Sequence, residues 1–146
     1  MLASGGDSVF YCGLQIMSQS SSNDGAKAPV KIFVVDDEPM LLDLAAAILQ
    51  PHGFRVWTFR DPQLALEEFP AVKPEILVTD YAMGGMNGME LVIQCRRLDP
   101  KQKIILLSGT VDESVYADMP EKPDRFLAKP YQVHQFVEMI RALAAG

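Results

Sequence analysis

The sequence predicts an α/β fold: a three-layer sandwich in which a five-stranded parallel sheet carries helices on both faces. Two observations lead there. Beyond residue 29, five short apolar stretches alternate with five helical patterns, and strand–helix–strand alternation returns each strand parallel to the last. The stretches IFVV, IILL and the ILV of EILVTD are apolar throughout instead of at every second position, as strands covered from both sides require.

The elements follow in order. VKIFVV (residues 30–35) is the first strand. PMLLDLAAAILQPHG (39–53) is a helix, with Pro39 near its start, where a missing N–H costs nothing, and Gly53 past its end. FRVWTF (54–59) is the second strand, rich in β-branched and aromatic residues. DPQLALEEF (61–69) is a helix with Asp61 as N-cap and Pro62 at its first helical position. EILVTD (75–80) is the third strand, and NGMELVIQCRRL (87–98) a helix that Asn87 is placed to cap. KIILLSG (103–109) is the fourth strand, followed by VDESVYADM (111–119), a short helix stopped by Pro120 and Pro123. RFLAKP (125–130) is the fifth strand. YQVHQFVEMIRALAA (131–145) closes the chain as a helix whose Val133, Phe136, Val137, Ile140 and Leu143 form one apolar stripe. Residues 1–29, rich in Ser, Gly and Asn and ending in SQSSSNDGAKAP, read as a flexible leader, which leaves 30–146 as the domain.

Composition narrows the function. A chain of 146 residues, 49% hydrophobic and 22% charged, is one ordinary globular domain. Its net charge of −6 argues against direct nucleic-acid contact, which calls for a basic footprint. Two cysteines, Cys12 and Cys95, make no disulfide framework, and a reducing cytoplasm is expected. No apolar run reaches the roughly 20 residues that span a bilayer, so no membrane partner is expected. VFYCGLQIM (9–17) lacks the positive flank of a signal peptide, since the first Lys or Arg is Lys27.

Chemistry concentrates at one edge. In open parallel sheets, ligands bind beyond the carboxyl ends of the strands. Asp36 and Asp37 follow the first strand, Asp80 ends the third, Ser108 the fourth and Lys129 the fifth. Adjacent carboxylates repel unless something cationic compensates. Three of them suit a hard divalent cation, Mg²⁺ partly held by waters. Lys129 and Ser108 then stand ready for the oxygens of a phosphoryl group. Singly, each has an ordinary explanation: Asp as turn former, Ser-Gly as strand-ending turn, Lys-Pro as exposed turn. Together, on successive strand tips, they form a constellation.

These residues resemble the receiver domain of bacterial two-component response regulators. VVDDEP, VTDYAMGGMNGMEL, LLSGT and FLAKPY match that family's motifs in order, over roughly residues 31–144. The resemblance implies a flavodoxin-like, doubly wound sheet of strand order 2-1-3-4-5. It implies that Asp80 takes a phosphoryl group from a phosphohistidine on a sensor histidine kinase or phosphotransfer protein. Asp37 and Asp80 would ligate Mg²⁺ directly, Asp36 through water, and the backbone carbonyl of Ala82 would complete the set. Lys129, in a peptide bond to Pro130 that is typically cis, would pair with the phosphoryl oxygens; Ser108 would bond to them, with Phe126 as the aromatic switch. Ala82 and Thr110 occupy positions that tune hydrolysis of the aspartyl phosphate. Three positions depart from the usual pattern: Phe126 where Tyr is commoner, Gly84 where proline is usual, and Asn87 in place of an acid.

The implied activity is a phosphorylation-controlled switch of protein–protein interactions, with self-directed phosphoryl transfer and slow autodephosphorylation but no enzyme turnover. With the chain ending at Gly146, a stand-alone receiver without output domain, docking to a downstream protein, is expected; a receiver from a longer regulator or hybrid kinase is the alternative. A non-phosphorylated docking module would not need the intact acid set. A flavodoxin-type electron carrier would need a phosphate-cradling loop where DDEP stands, and an aspartyl hydrolase a second acid where Ala82 stands. His52 is read as capping helix-end carbonyls and His134 as a residue of the final helix, neither as a phosphorelay histidine, since such histidines normally sit in helical bundles. Cys95 is read as a core thiol, and Trp57, Met83, Met86 and Met89 as packing.

Overall fold

The computed structural model describes residues 28–109 and 121–146. In these, five strands form one parallel sheet: β1 (Lys31–Val35), β2 (Arg55–Phe59), β3 (Ile76–Asp80), β4 (Lys103–Ser108) and β5 (Arg125–Ala128). Their spatial order is β2-β1-β3-β4-β5, as expected. Four helices pack on it: α1 (Pro39–Leu49), α2 (Pro62–Val72), α3 (Gly88–Leu98) and α4 (Val133–Ala145). The helix expected over residues 111–119, Thr110, and residues 1–27 of the leader lie outside the described residues.

Strand geometry explains the unbroken apolar runs. Successive side chains point to opposite faces, so Ile32 and Val34 join α1 and α4 in one core layer. Phe33 and Val35 join α2 and α3 in the other. Phe33 is fully buried and meets the rings of Phe59 at 4.7 Å and Phe69 at 6.3 Å. Trp57 packs against the same layer, with Arg55 5.1 Å from its ring centroid. Cys95, 1% exposed, is a core thiol, and burial pushes its pKa up to about 12. Met83 and Met86 rest against this layer, while Met89 is buried with Leu106.

The caps form as the sequence suggests. Asp61 accepts the Gln63 N–H at 2.9 Å. Asn87 accepts the Glu90 N–H at 2.9 Å, and the Glu90 carboxylate answers from the Asn87 N–H, a reciprocal box that fixes where α3 begins. Some expectations need correction. α1 stops at Leu49 and tightens into a 3₁₀ turn over Gln50–His52, because Pro51 cannot donate the next helical bond; Gly53, at φ 89°, then reverses the chain. α2 runs past Phe69 through Pro70 to Val72, ending on Lys73 in a left-handed conformation, φ 55°. Val133 leaves the stripe of α4: as the first helical residue it is 53% exposed, whereas Phe136, Val137, Ile140 and Leu143 are buried. His52, expected at helix-end carbonyls, reaches α4 on the same face of the sheet, its Nδ1 accepting from Arg141 Nη2 at 3.1 Å.

Candidate functional site

The register of the sheet brings the strand tips level. Val35 pairs with Thr79, so Asp36 stands beside Asp80; Asp80 pairs with Leu107 and Ser108 with Ala128, so Lys129 follows on the next strand. Backbone bonds extend this alignment beyond the strands. The Asp36 N–H donates to the Phe59 carbonyl at 3.0 Å, and the Lys129 N–H to the Ser108 carbonyl at 2.9 Å. The Lys129–Pro130 peptide bond is cis.

Asp36, Asp37 and Asp80 each present a carboxylate oxygen, all within 4.8 Å of one another. Asp36 and Asp80 are buried and Asp37 is exposed. Lys129 Nζ lies 2.9 Å from Asp80 Oδ1 and 3.6 Å from Asp36 Oδ2. Asp36 Oδ1 accepts the Glu38 N–H at 2.9 Å, and Asp37 Oδ2 accepts the Gly84 N–H at 3.2 Å. Burial pushes the Asp36 carboxyl above its ordinary range; the Glu38 amide and Lys129 oppose this, while Asp80 and Asp37 reinforce it. For Lys129, burial is the largest single influence and pulls downward. The bond to Asp80 and the charges of Asp80 and Asp36 together outweigh it, so the ammonium is held more tightly than usual.

Three carboxylates against one ammonium leave the cluster anionic at neutral pH. Three carboxylate oxygens within 4.8 Å of one another fit a hard divalent cation that retains some water, Mg²⁺ above all. Asp36, Asp37 and Asp80 could hold it, with the exposed side of Asp37 open to solvent. The remaining candidates surround this centre. Ser108 is buried at the end of β4. Phe126 is partly buried against Met89 and Leu106. Ala82 is exposed in the loop after β3.

Three contributors escaped the sequence. Gly88 lets α3 approach the end of β3: a Cβ there would collide with the Asp80 carbonyl oxygen and lie 2.9 Å from Tyr81 Cα. Its glycine identity signals a close approach only once the partner is known. The Gly84 amide holds Asp37, a role invisible until the loop is folded. Tyr131, after the cis bond, packs its ring at a tilt against Phe136, centroids 4.9 Å apart; burial raises its pKa, Lys129 opposing and Asp36 adding to the shift.

The family model for the response regulator receiver domain matches residues 32–141. The chain belongs to that family. Relatives at the level of single proteins are more distant. The chain is 27% identical to chemotaxis protein CheY of Listeria monocytogenes over 117 residues, covering 79% of this chain and 98% of that protein. It is likewise 27% identical to the probable transcriptional regulatory protein TcrX of Mycobacterium tuberculosis, over 79% of this chain and 50% of TcrX. The chain thus spans about half the length of the first mycobacterial regulators it matches. Among solved structures, the response regulator TrrA of Thermotoga maritima, determined in complex with Mg²⁺–BeF, superposes with a TM-score of 0.70 at 27% identity; the match covers 78% of this chain and 98% of that one. Vibrio cholerae CheY4 superposes with a TM-score of 0.74 at 21% identity, covering 80% and 99%, a likeness of fold. Among the described residues, no helix of this receiver domain is long and apolar enough to cross a membrane.

Proposed function

We propose that this receiver accepts a phosphoryl group on Asp80 from a sensor histidine kinase or phosphotransfer protein, and thereby switches its binding to a downstream protein. The observation that carries this is the convergence of Asp36, Asp37 and Asp80 within 4.8 Å, with Lys129 Nζ 2.9 Å from Asp80. A carboxylate is a weak nucleophile toward an anionic phosphoryl group, so the site must supply positive charge and alignment. In this reading Asp37 and Asp80 ligate Mg²⁺ directly, Asp36 acts through water, and the Ala82 carbonyl completes the protein ligands. When bound, the cation neutralises charge on the phosphoryl oxygens.

The chain's own groups do the rest. A carboxylate oxygen of Asp80 forms the new P–O bond as the donor's P–N bond breaks, its electron pair staying on the imidazole nitrogen. Lys129, kept protonated by its two carboxylate neighbours, supplies a cation to the transferred group. The Ser108 hydroxyl donates to a phosphoryl oxygen, and its inward shift lets the Phe126 ring follow. Ala82 and Thr110 flank the path of the water that later hydrolyses the adduct. The chemistry is self-directed, without turnover of a separate substrate. The domain occupies residues 30–146 behind a leader of 1–29, works in the cytoplasm, and acts through proteins instead of through nucleic acid or membrane.

Near-complete coverage of the Listeria chemotaxis protein supports stand-alone action, which we adopt. Coverage of about half of the mycobacterial regulators favours a second reading, a receiver serving a longer regulator. The test of the phosphoacceptor is direct. With Mg²⁺ and a small phosphodonor, the protein should gain one phosphoryl group, detectable by intact mass. The gain should vanish in Asp80→Asn and on chelation. An adduct that persists in Asp80→Asn, or none in the parent protein, overturns the assignment.

A further inference from the structure

At the opposite end of the sheet from the acids lies a cavity of about 580 Å³, within the roughly 300–1,000 Å³ range of ligand-binding pockets. Its apolar wall comprises Val30, Phe69, Pro70, Pro74, Leu98 and Ala144, and Leu98 is 53% exposed there. A large side chain so placed, beside a cavity of this size, is apolar surface without a cover among the described residues.

We propose that residues 9–17 of this same chain, VFYCGLQIM, dock into that cavity and cover Leu98. Three observations select this occupant. All but Gly13 and Gln15 of the run are apolar or aromatic, so it supplies the side chains the wall lacks. The run joins the domain at the cavity itself: residues 18–29 are a polar tether, and Val30, which follows them, is part of the wall. A random-coil chain of that length has a root-mean-square span of ~20 Å. Folding back is therefore within reach, at an effective concentration on the order of millimolar. Charge agrees as well. The leader ahead of Lys27 holds Asp7 and Asp24 and no Lys, Arg or His. The rim offers the exposed Lys73 and Lys101, while its acids are engaged, Glu75 by the Lys31 N–H and Asp99 by the Lys101 N–H. None of this depends on phosphorylation of Asp80.

Cys12 lies in the middle of the run and makes the test. The other cysteine, Cys95, is buried and its thiol is pushed up to about 12, so it stays silent. Rim thiols are introduced into the full chain by Lys101→Cys and, separately, Lys73→Cys; Met40→Cys, 78% exposed at the start of α1 beside the acids, serves as the distant reference. Under mild oxidation, peptide mapping should find a disulfide within one chain at a rim position. It should form about tenfold faster than at the reference, as an enhanced local concentration requires, and slow in Phe10→Ser/Leu14→Ser. Equal rates at rim and reference, or no disulfide at either rim position, overturn the proposal. A disulfide found only between molecules and lost on dilution also overturns it, assigning the cavity to a second copy.

Discussion

Replacing Asp36 by Asn tests whether the acid cluster is built for a cation. The side chain is 3% exposed, and two further carboxylates have oxygens within 4.8 Å. At an effective dielectric of about 20, each repulsion at that separation is worth ~3.5 kcal/mol, and attraction to Lys129 Nζ at 3.6 Å returns ~4.6 kcal/mol. The balance is roughly 2 kcal/mol against the charged form, reduced to about 1–2 kcal/mol because Asp37 is exposed and screened. Asn keeps an oxygen for the Glu38 N–H and removes the charge, and Lys129 retains Asp80. In chelator at pH 7, Asp36→Asn should therefore melt higher than the parent by about 3–6 °C. Linkage fixes the pH dependence. The folded pKa of Asp36 is raised, so its protonated form favours the fold. That contribution is complete below the ordinary value of 3.8 and is lost as pH rises through the raised folded value. The advantage of Asp36→Asn should thus close as pH is lowered into the carboxylate range. Excess Mg²⁺ should reverse the order, since a cation at a hundredfold its Kd stabilises by about 2.7 kcal/mol. Scanning calorimetry with and without Mg²⁺ reads all three. An Asp36→Asn protein no more stable than its parent in chelator would refute the idea that the site stores uncompensated negative charge.

Two further outcomes follow from the same rim. Gly88→Ala should cost about 2–3 kcal/mol, because the Cβ meets backbone of Asp80 and Tyr81 that cannot swing aside; urea unfolding should show a lower midpoint at unchanged slope. Ala82→Tyr should shield the aspartyl phosphate from water and slow its decay by roughly tenfold, about 1.4 kcal/mol on the barrier. An unchanged decay rate, followed by loss of the labile adduct, counts against Ala82 as a tuning position.

Much of this architecture was legible because its signals are local. Unbroken apolarity in ILV and IILL, Asp61 before Pro62, and Asn87 before its helix act within a few residues, and the strands and caps formed where those signals stand. Placing Asp36, Asp80 and Lys129 together needed only strand order and a shared direction. The site's finer parts depend on partners remote in sequence. Nothing near Gly84 announces that its amide meets Asp37, 47 positions away. Arg96 likewise reaches the Gln102 carbonyl, Glu121 and Asp124, tying α3 to the start of β5 by bonds no periodicity reveals. Helix ends were the weakest point, because Pro51 and Pro70 carry the same local prohibition yet only Pro51 brought α-helical geometry to a close. Val133 shows the remaining limit: helical spacing assigns a face, but a first-turn residue projects beyond the layer it should cover.

Lys31 and Lys103 start the first and fourth strands, and each sends its ammonium to a helix-end carbonyl, Val72 of α2 and Leu143 of α4. Each therefore straps a helix to the sheet and quenches the partial negative charge that the helix would otherwise display. The two poles of the protein are left chemically unlike: one crowds formal charge around open oxygens, while the other has already answered its dipoles. What approaches the first is sorted by valence, and what approaches the second by shape and hydrocarbon.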